Sequence, residues 1–274
     1  MHRCIFAGFA LLASVVVQAE SLQADLSPIL TPILVDTHRS ETNRARDQYR
    51  HPIQTLSFFG VQPNQTVIEI TPGGGWYTEV LAPLLNGRGQ YIAAVVSNEG
   101  LPDKAQAGNT KRNNAFKEKL AADPAHYFKA KVVEYIAKAP KLGADGSADV
   151  VLTFRNVHNW SANGTVDAMF QAMYAVLKQG GTLGVVDHRA KKGAEFKAVL
   201  DAGYLPEEFV IEQAQKAGFK LVGKSEVNAN PKDTKDYAEG VWTLPPTLAL
   251  AQKDRDKYLA IGESDRFTLR FVKP

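Results

Sequence analysis

Two places along the 274-residue chain gather side chains able to do chemistry. The first is Glu69-Ile70-Thr71-Pro72-Gly73-Gly74-Gly75-Trp76-Tyr77-Thr78, an acidic residue in an apolar run followed by three glycines. Glycines between a strand and a helix permit a sharp turn and a close approach of backbone to ligand. A dinucleotide fingerprint would need another glycine three positions after Gly75, where Thr78 stands, and no phosphate-loop lysine follows. A tight turn without any ligand accounts for the glycines equally well. The second place follows two later apolar runs. Arg155, Asn156, His158, Asn159 and Trp160 come after residues 149–154, while Asp187, His188 and Arg189 come after residues 182–186. His158 is the best base on offer, because imidazole exchanges protons near neutrality, with an unperturbed pKa of ~6.5. A loop histidine held by a hydrogen bond is the alternative. Asp187 either orients a histidine or serves as a cap and ion-pair partner, and for both Asp187 and Arg189 the structural role is favoured. Trp160 reads as a core residue before it reads as a shelf for a ring.

Chemistry of this kind needs elements to hold it, and the pattern supplies them. Thr66–Ile70, residues 91–96, Lys131–Tyr135 and residues 149–154 and 182–186 are short β-rich runs. Residues 219–227 and Arg266–Val272 are the last two. Helical spacing fills residues 76–85, 166–177 and 206–217, with Gly218 at a natural capping position. Strand and helix in alternation predict an α/β fold, a doubly wound, mainly parallel seven-stranded sheet covered on both faces. Ligands of such sheets bind beyond the carboxyl ends of the strands, which is where both groups of residues fall.

Before the sheet, residues 20–56 read as a helical extension. Residues 22–35 are apolar but interrupted by Pro28 and Pro32. A charged helical stretch at residues 40–49 follows, ended by His51-Pro52, and residues 53–59 form a short amphipathic helix. Arginines of the charged stretch (Arg39, Arg44, Arg46 and Arg50, beside His38 and Asp47) would clamp an anionic substrate if folded over the pocket mouth. A solvated charged surface is the favoured expectation. Arg3, the apolar residues 5–17 and Val17-Gln18-Ala19 make a secretory leader cleaved after Ala19, so export, with the periplasm as destination, is expected. The apolar run is shorter than the ~20 residues of a spanning helix, so no anchor is expected after cleavage. Cys4, inside the leader, is the sole cysteine; with scattered histidines this predicts no structural metal. A net charge of +3 does not mark a nucleic-acid binder, and the expected partner is a small-molecule substrate. Oligomeric state is not legible.

The stretch V-I-E-I-T-P-G-G-G-W-Y-T resembles motif I of class I S-adenosylmethionine-dependent methyltransferases. A-V-L-K-Q-G-G-T-L-G-V-V-D-H (residues 175–188) is similar to the helix, turn and fifth strand of that family. Phe154-Arg155-Asn156-Val157 resembles the end of strand four in its quinone-biosynthesis members. More narrowly, W-Y-T together with F-R-N-V-H-N-W looks like a group of exported methyltransferases. The resemblance covers about residues 66–274, so residues 57–274 are expected to form the methyltransferase-like domain. It implies S-adenosylmethionine as cofactor, with Glu69 near its ammonium end, Gly73, Gly74 and Gly75 giving close backbone approach, and Thr71, Tyr77, Arg155 and Asn156 beside it. Thr71 departs from the pattern, standing where the family has its first glycine. The acidic residue that usually ends strand two and binds the ribose is also missing. Asn98 or Glu99 is left to contact the sugar, and losing a charged hydrogen bond of about 1.5–3 kcal/mol weakens affinity roughly tenfold or more. The resemblance places the methyl acceptor near His158, Asp187 and His188. The long insert at residues 228–265, with Trp242, Pro245 and Pro246, reads as a lid or binding element. Two functions follow: a methyltransferase acting on a small molecule with His158 as base, or an exported binding protein on the same fold that no longer catalyses. A nicotinamide oxidoreductase is excluded by the absent glycine and the absent acid after strand two.

Overall fold

The computed structural model describes residues 25–274; the expected leader and its cleavage position lie outside the described residues. Seven strands form one sheet: β1 (Thr66–Ile70), β2 (Gln90–Val96), β3 (Lys131–Tyr135), β4 (Ala148–Phe154), β5 (Leu177–His188), β6 (Lys220–Ser225) and β7 (Arg266–Val272). Their order is β3-β2-β1-β4-β5-β7-β6, parallel from β3 to β5, with β7 antiparallel to both of its neighbours. Helices α1 (Ser27–Val35), α2 (Glu41–Arg44), α3 (Asp47–Arg50) and α4 (Pro52–Phe59) precede the sheet. Then α5 (Thr78–Leu85) joins β1 to β2, and α6 (Asp103–Ala122) with α7 (Pro124–Tyr127) joins β2 to β3. Between β4 and β5 lie α8 (Val157–Ala162) and α9 (Val166–Val176), between β5 and β6 α10 (Phe196–Leu200) and α11 (Glu207–Lys216), and before β7 α12 (Arg255–Ile261).

The doubly wound α/β sheet expected from the alternation is the one observed. β1 and β4 are almost continuously apolar because both of their faces are covered. Val67 and Val150 face one layer, packed with Leu30, Phe59 and Leu81, while Ile68 and Val151 face the other, packed with Phe170, Met173 and Val210.

Three elements differ from expectation, each for a physical reason. Pro28 and Pro32 do not break α1: Pro28 sits in the first turn, where its missing N–H has no partner to lose, and Pro32 forfeits one bond. Burial of Leu26 and Leu30 offsets that loss. α6 is a 20-residue helix that buries only Asn109 and Phe116, so it has no apolar stripe for periodicity to reveal. β5 runs on to His188 because β7 pairs with it to the end, Asp187 opposite Phe267 and His188 opposite Arg266. The charged stretch forms two short helices, and His51, at φ 41°, turns the chain from α3 into α4. No helix among the described residues is long and apolar enough to cross a membrane.

α4 lies on the sheet through Gly184. A Cβ there would come within 2.7 Å of Leu152 Cδ2 and of Phe59 Cγ. Gly184→Ala is therefore expected to overpack this contact and destabilise the fold by about 1–3 kcal/mol, lowering the urea midpoint with little change in slope.

Candidate functional site

Strand order reverses between β1 and β4, and the loops leaving these two strands open a crevice between them. One wall is the turn after β1. Thr71 has φ 48°, Gly73 60° and Gly75 79°, so the turn uses the left-handed region three times. For a β-branched residue such as Thr71 this conformation is strained by about 1–2 kcal/mol. It is held by its N–H bonding to Ala94 O at 2.7 Å and its hydroxyl bonding to Tyr135 OH at 2.8 Å. Thr71 thus takes up a glycine-like backbone at the position where the resemblance expects glycine. An added Cβ at Gly73 or Gly74 would meet nothing within 4 Å, so the turn is open, whereas at Gly75 it would approach Phe116 of α6 to 3.2 Å. α6 also sends Lys119 Nζ to the carbonyl of Gly74 at 3.1 Å.

Glu69, from β1, lies beneath the turn and is buried. Its Oε2 accepts hydrogen bonds from Tyr91 OH at 2.6 Å and Thr78 Oγ1 at 3.0 Å. Burial outweighs these bonds and pushes its pKa from 4.5 up to about 7. The other wall comes from β4: Tyr77 stacks on Phe154 at 3.5 Å, and Asn156 Nδ2 reaches back to Ile70 O at 2.8 Å. Arg155, also left-handed at φ 61°, follows Phe154. Its guanidinium makes no hydrogen bond or ion pair to another side chain among the described residues, and burial lowers its pKa.

The roof of the crevice corrects an expectation. The charged N-terminal stretch is not a solvated surface, because Arg39 and Arg50 are buried. Their guanidinium carbons lie 5.2 and 4.8 Å from the centre of the Trp76 ring, which they flank as cations over an aromatic face. Trp76 Nε1 donates to Asn43 O at 2.8 Å, and Arg39 pairs with Asp47 at 2.7 Å. Arg46 and Arg50 share the carboxylate of Glu263 with Arg266, at 2.6, 3.2 and 2.7 Å. Burial raises the Glu263 pKa, but the surrounding arginines prevail and hold it at about 2. One Nη2 on each of Arg46 and Arg50 is left buried without a partner.

Across the sheet edge, His158 Nδ1 donates to Asp187 Oδ1 at 2.8 Å. Asp187 also accepts the backbone N–H groups of His158 at 3.2 Å and His188 at 2.8 Å, so it both orients a histidine and caps α8. With Nδ1 engaged, Nε2 of His158 is the nitrogen free to exchange a proton. His188, with its ring centre 5.1 Å from that of His158, is bonded through Nδ1 to Ser264. Burial and the nearby His158 and arginines keep it neutral, with a pKa well below the usual histidine range. Trp160 packs edge-on against Phe170 in the core.

Three cavities line the crevice. One of about 210 Å³ is bounded by Glu69, the turn, Tyr77, Asn156, Arg46, Arg50 and Arg155. A second, about 190 Å³, shares Arg155 and adds His158, Asn159, His188, Trp242, Pro245 and Pro246. A third, about 110 Å³, shares Thr71, Pro72 and Gly73 and extends over the end of β2 to Asn109, Asn113 and Phe116. Each falls below the ~300–1,000 Å³ of small-molecule sites, and they lie side by side, the first sharing Arg155 with the second and Thr71, Pro72 and Gly73 with the third. The structure thus gathers Glu69, Thr71, Gly73, Gly74, Tyr77, Arg155 and Asn156 around the first cavity, with Gly75 buried behind them. His158 and His188 line the second, with Asp187 behind them. Asn98 and Glu99 border none of the three. Asn98 bonds to Thr110 and Asn109 of α6, and Glu99 is exposed. Arg46, Arg50, Asn109 and Asn113 were not singled out as cofactor contacts. The arginines were in view only as a clamp, and the asparagines sit on the helix without periodicity.

No protein-family model matches the chain, and no curated protein matches it in sequence. Among solved structures it is similar to a SAM-dependent methyltransferase from Aquifex aeolicus, 15% identical, with a TM-score of 0.56 over 84% of this chain and 93% of that one. It is also similar to the [4+2]-cyclase SpnF, 16% identical, with a TM-score of 0.58 over 91% of this chain and 93% of that one. The fold is therefore the Rossmann-like fold of class I methyltransferases. One of these neighbours is named for methyl transfer and the other for cyclisation, so the reaction rests on the site itself.

The buried carboxyl of Glu69 links stability to pH. Its native pKa is raised, so its contribution is fully present below the unfolded value of 4.5 and is lost as pH rises through about 7. Relative to Glu69→Gln, the wild-type chain should lose on the order of 3 kcal/mol between pH 4.5 and 8, read by urea denaturation at the two pH values.

Proposed function

We propose that this chain binds S-adenosylmethionine along the crevice and transfers its methyl group to a small molecule held beside His158. The observation that carries the reading is the open glycine turn at Gly73 and Gly74 set over buried Glu69 at the reversal of strand order. The residues suit the cofactor's amino-acid end. Glu69 would receive the ammonium, and the unpartnered Nη2 groups of Arg46 and Arg50 would receive the carboxylate. The third cavity, with Asn109 and Asn113 in place of an acidic residue, would take the nucleoside. When bound, the sulfonium supplies an electrophilic methyl group and a neutral thioether as leaving group.

The protein's own part is alignment and proton removal. Arg155 sits between the first and second cavities and positions the acceptor, and the stacked Tyr77 and Phe154 rings keep water from one side. Orientation of this kind lowers a barrier by up to ~7–11 kcal/mol. His158 Nε2 takes the acceptor's proton while Asp187 stabilises the imidazolium through Nδ1. The leader pattern supports a site of action outside the cytoplasm, and recovery of the chain only from the cytosolic fraction would reject that part of the proposal.

Calorimetric titration with S-adenosylhomocysteine should show binding that Gly73→Asp abolishes, since that substitution puts a side chain into the open turn. His158→Ala should leave this affinity intact and lower kcat by roughly 10²–10⁴-fold. A folded wild-type chain that fails to bind at saturating ligand would reject the enzyme reading and leave a noncatalytic binding protein.

A further inference from the structure

Away from the crevice, the segment between α1 and α2 meets α7 at three groups with metal-ligand chemistry. Donor atoms of Asp36, His38 and His126 lie within 4.8 Å of one another. The surrounding hydrogen bonds decide where the ring protons reside. His38 Nε2 is 2.8 Å from the backbone oxygen of Glu79, which can only accept, so Nε2 carries the hydrogen. The neutral ring then has a bare lone pair at Nδ1. That atom is buried, 3.1 Å from Asp36 Oδ1, and makes no hydrogen bond. His126 repeats the arrangement. Its Nδ1 donates to Asp123 Oδ2 at 2.7 Å, which leaves Nε2 bare and 3.8 Å from Asp36 Oδ2. In their neutral forms the two rings thus leave His38 Nδ1 and His126 Nε2 bare beside the Asp36 carboxylate, the three donors within 4.8 Å of one another.

We propose that Asp36, His38 and His126 bind a divalent transition-metal ion of the zinc class. Two imidazoles and a carboxylate are the donor set such ions take. Each ring has its other nitrogen fixed by a carbonyl or a carboxylate, the outer support found behind metal-bound histidines. The Asp36 side chain is 42% exposed, so solvent completes the coordination. The two rings stack at 4.1 Å with 17° between their planes. An ion binds in the plane of an imidazole, so loading turns the more exposed His126 ring out of the stack while buried His38 stays in place. The trio His158, Asp187 and His188 is equally close but differs in kind, because Asp187 already accepts three N–H groups. His38 and His126, far apart in the sequence, are brought together here by the fold. The site fastens α7 to the segment that leads into Arg46 and Arg50.

Zinc titration of the full chain, with cobalt as the spectroscopic probe, tests this directly. One ion per chain is expected, with a rise in Tm. Asp36→Asn keeps the acceptor for the His38 N–H, and His126→Ala changes a partly exposed ring, so both variants should fold by circular dichroism. Each should weaken binding by at least about tenfold and abolish the Tm rise. Undiminished zinc affinity in both variants, no ion bound by the wild-type chain, or loss confined to His158→Ala would overturn the proposal. None of these readouts depends on S-adenosylhomocysteine binding.

Discussion

The carboxylate of Glu263 joins parts of the chain that would otherwise have no reason to meet. Arg46 and Arg50 come to it from the N-terminal segment, and Arg266 from the first residue of β7. All of these groups are largely removed from water, so the N-terminal segment is built into the sheet structure and does not merely lie upon it. Removing one partner from such a cluster leaves an uncompensated buried charge, at a cost of about 3–5 kcal/mol. The same cluster roofs the crevice. Glu263 holds the Nε groups of Arg46 and Arg50, and both side chains line the first cavity with one Nη2 each buried and unpartnered.

Backbone strain is concentrated beside this cluster. Thr71 and Arg155 follow β1 and β4 respectively, the two strands between which the sheet order reverses, and both are left-handed without being glycine. Each is held by a strand neighbour, Thr71 N–H on Ala94 O and Arg155 N–H on Val186 O, so the sheet itself over-determines the conformation. Strain persists where surrounding structure enforces it, and its effect here is to direct one turn over Glu69 and to set Arg155 between two cavities.

How much of this was legible in the sequence depends on the range of the cause. β1, β3 and β7 are legible to the residue because each is a short run of β-branched and aromatic residues. β1 is buried on both faces, β3 lies at the sheet edge with Lys131 and Glu134 exposed around Val132 and Val133, and β7 is largely buried between β5 and β6. Glu69 and the glycines declared themselves through local spacing. α6 stayed hidden because its helix is stabilised by a few contacts, including Phe116 beside Gly75 and Lys119 on the Gly74 carbonyl, and not by an apolar stripe. The arginines misled for a related reason. A charged residue reads as solvated unless its partner is known, and the partner of Arg46 lies 217 residues along the chain. Asn98 and Glu99 were the nearest polar residues to the end of β2, but α6 presents Asn109 and Asn113 to the Val96 carbonyl and occupies that position.

The charge inventory of the first cavity constrains what can enter it. Arg46, Arg50 and Arg155 bring more positive charge than Glu263 neutralises, and burial with neighbouring cations already depresses Arg50 to about 9. Among the described residues Glu69 is the one acidic side chain lining the cavity, and at neutral pH its burial keeps it partly protonated. A simple cation would be repelled from the roof, and a simple anion would find Glu69 in its way. A zwitterion with carboxylate and ammonium a few bonds apart satisfies both ends, and only in one orientation. On the proposed reading, arrival of the ammonium favours the ionised form of Glu69, so the carboxyl gives up its proton as the ligand seats. The burial that costs the free protein stability at alkaline pH thereby becomes a preference for one end of one class of ligand.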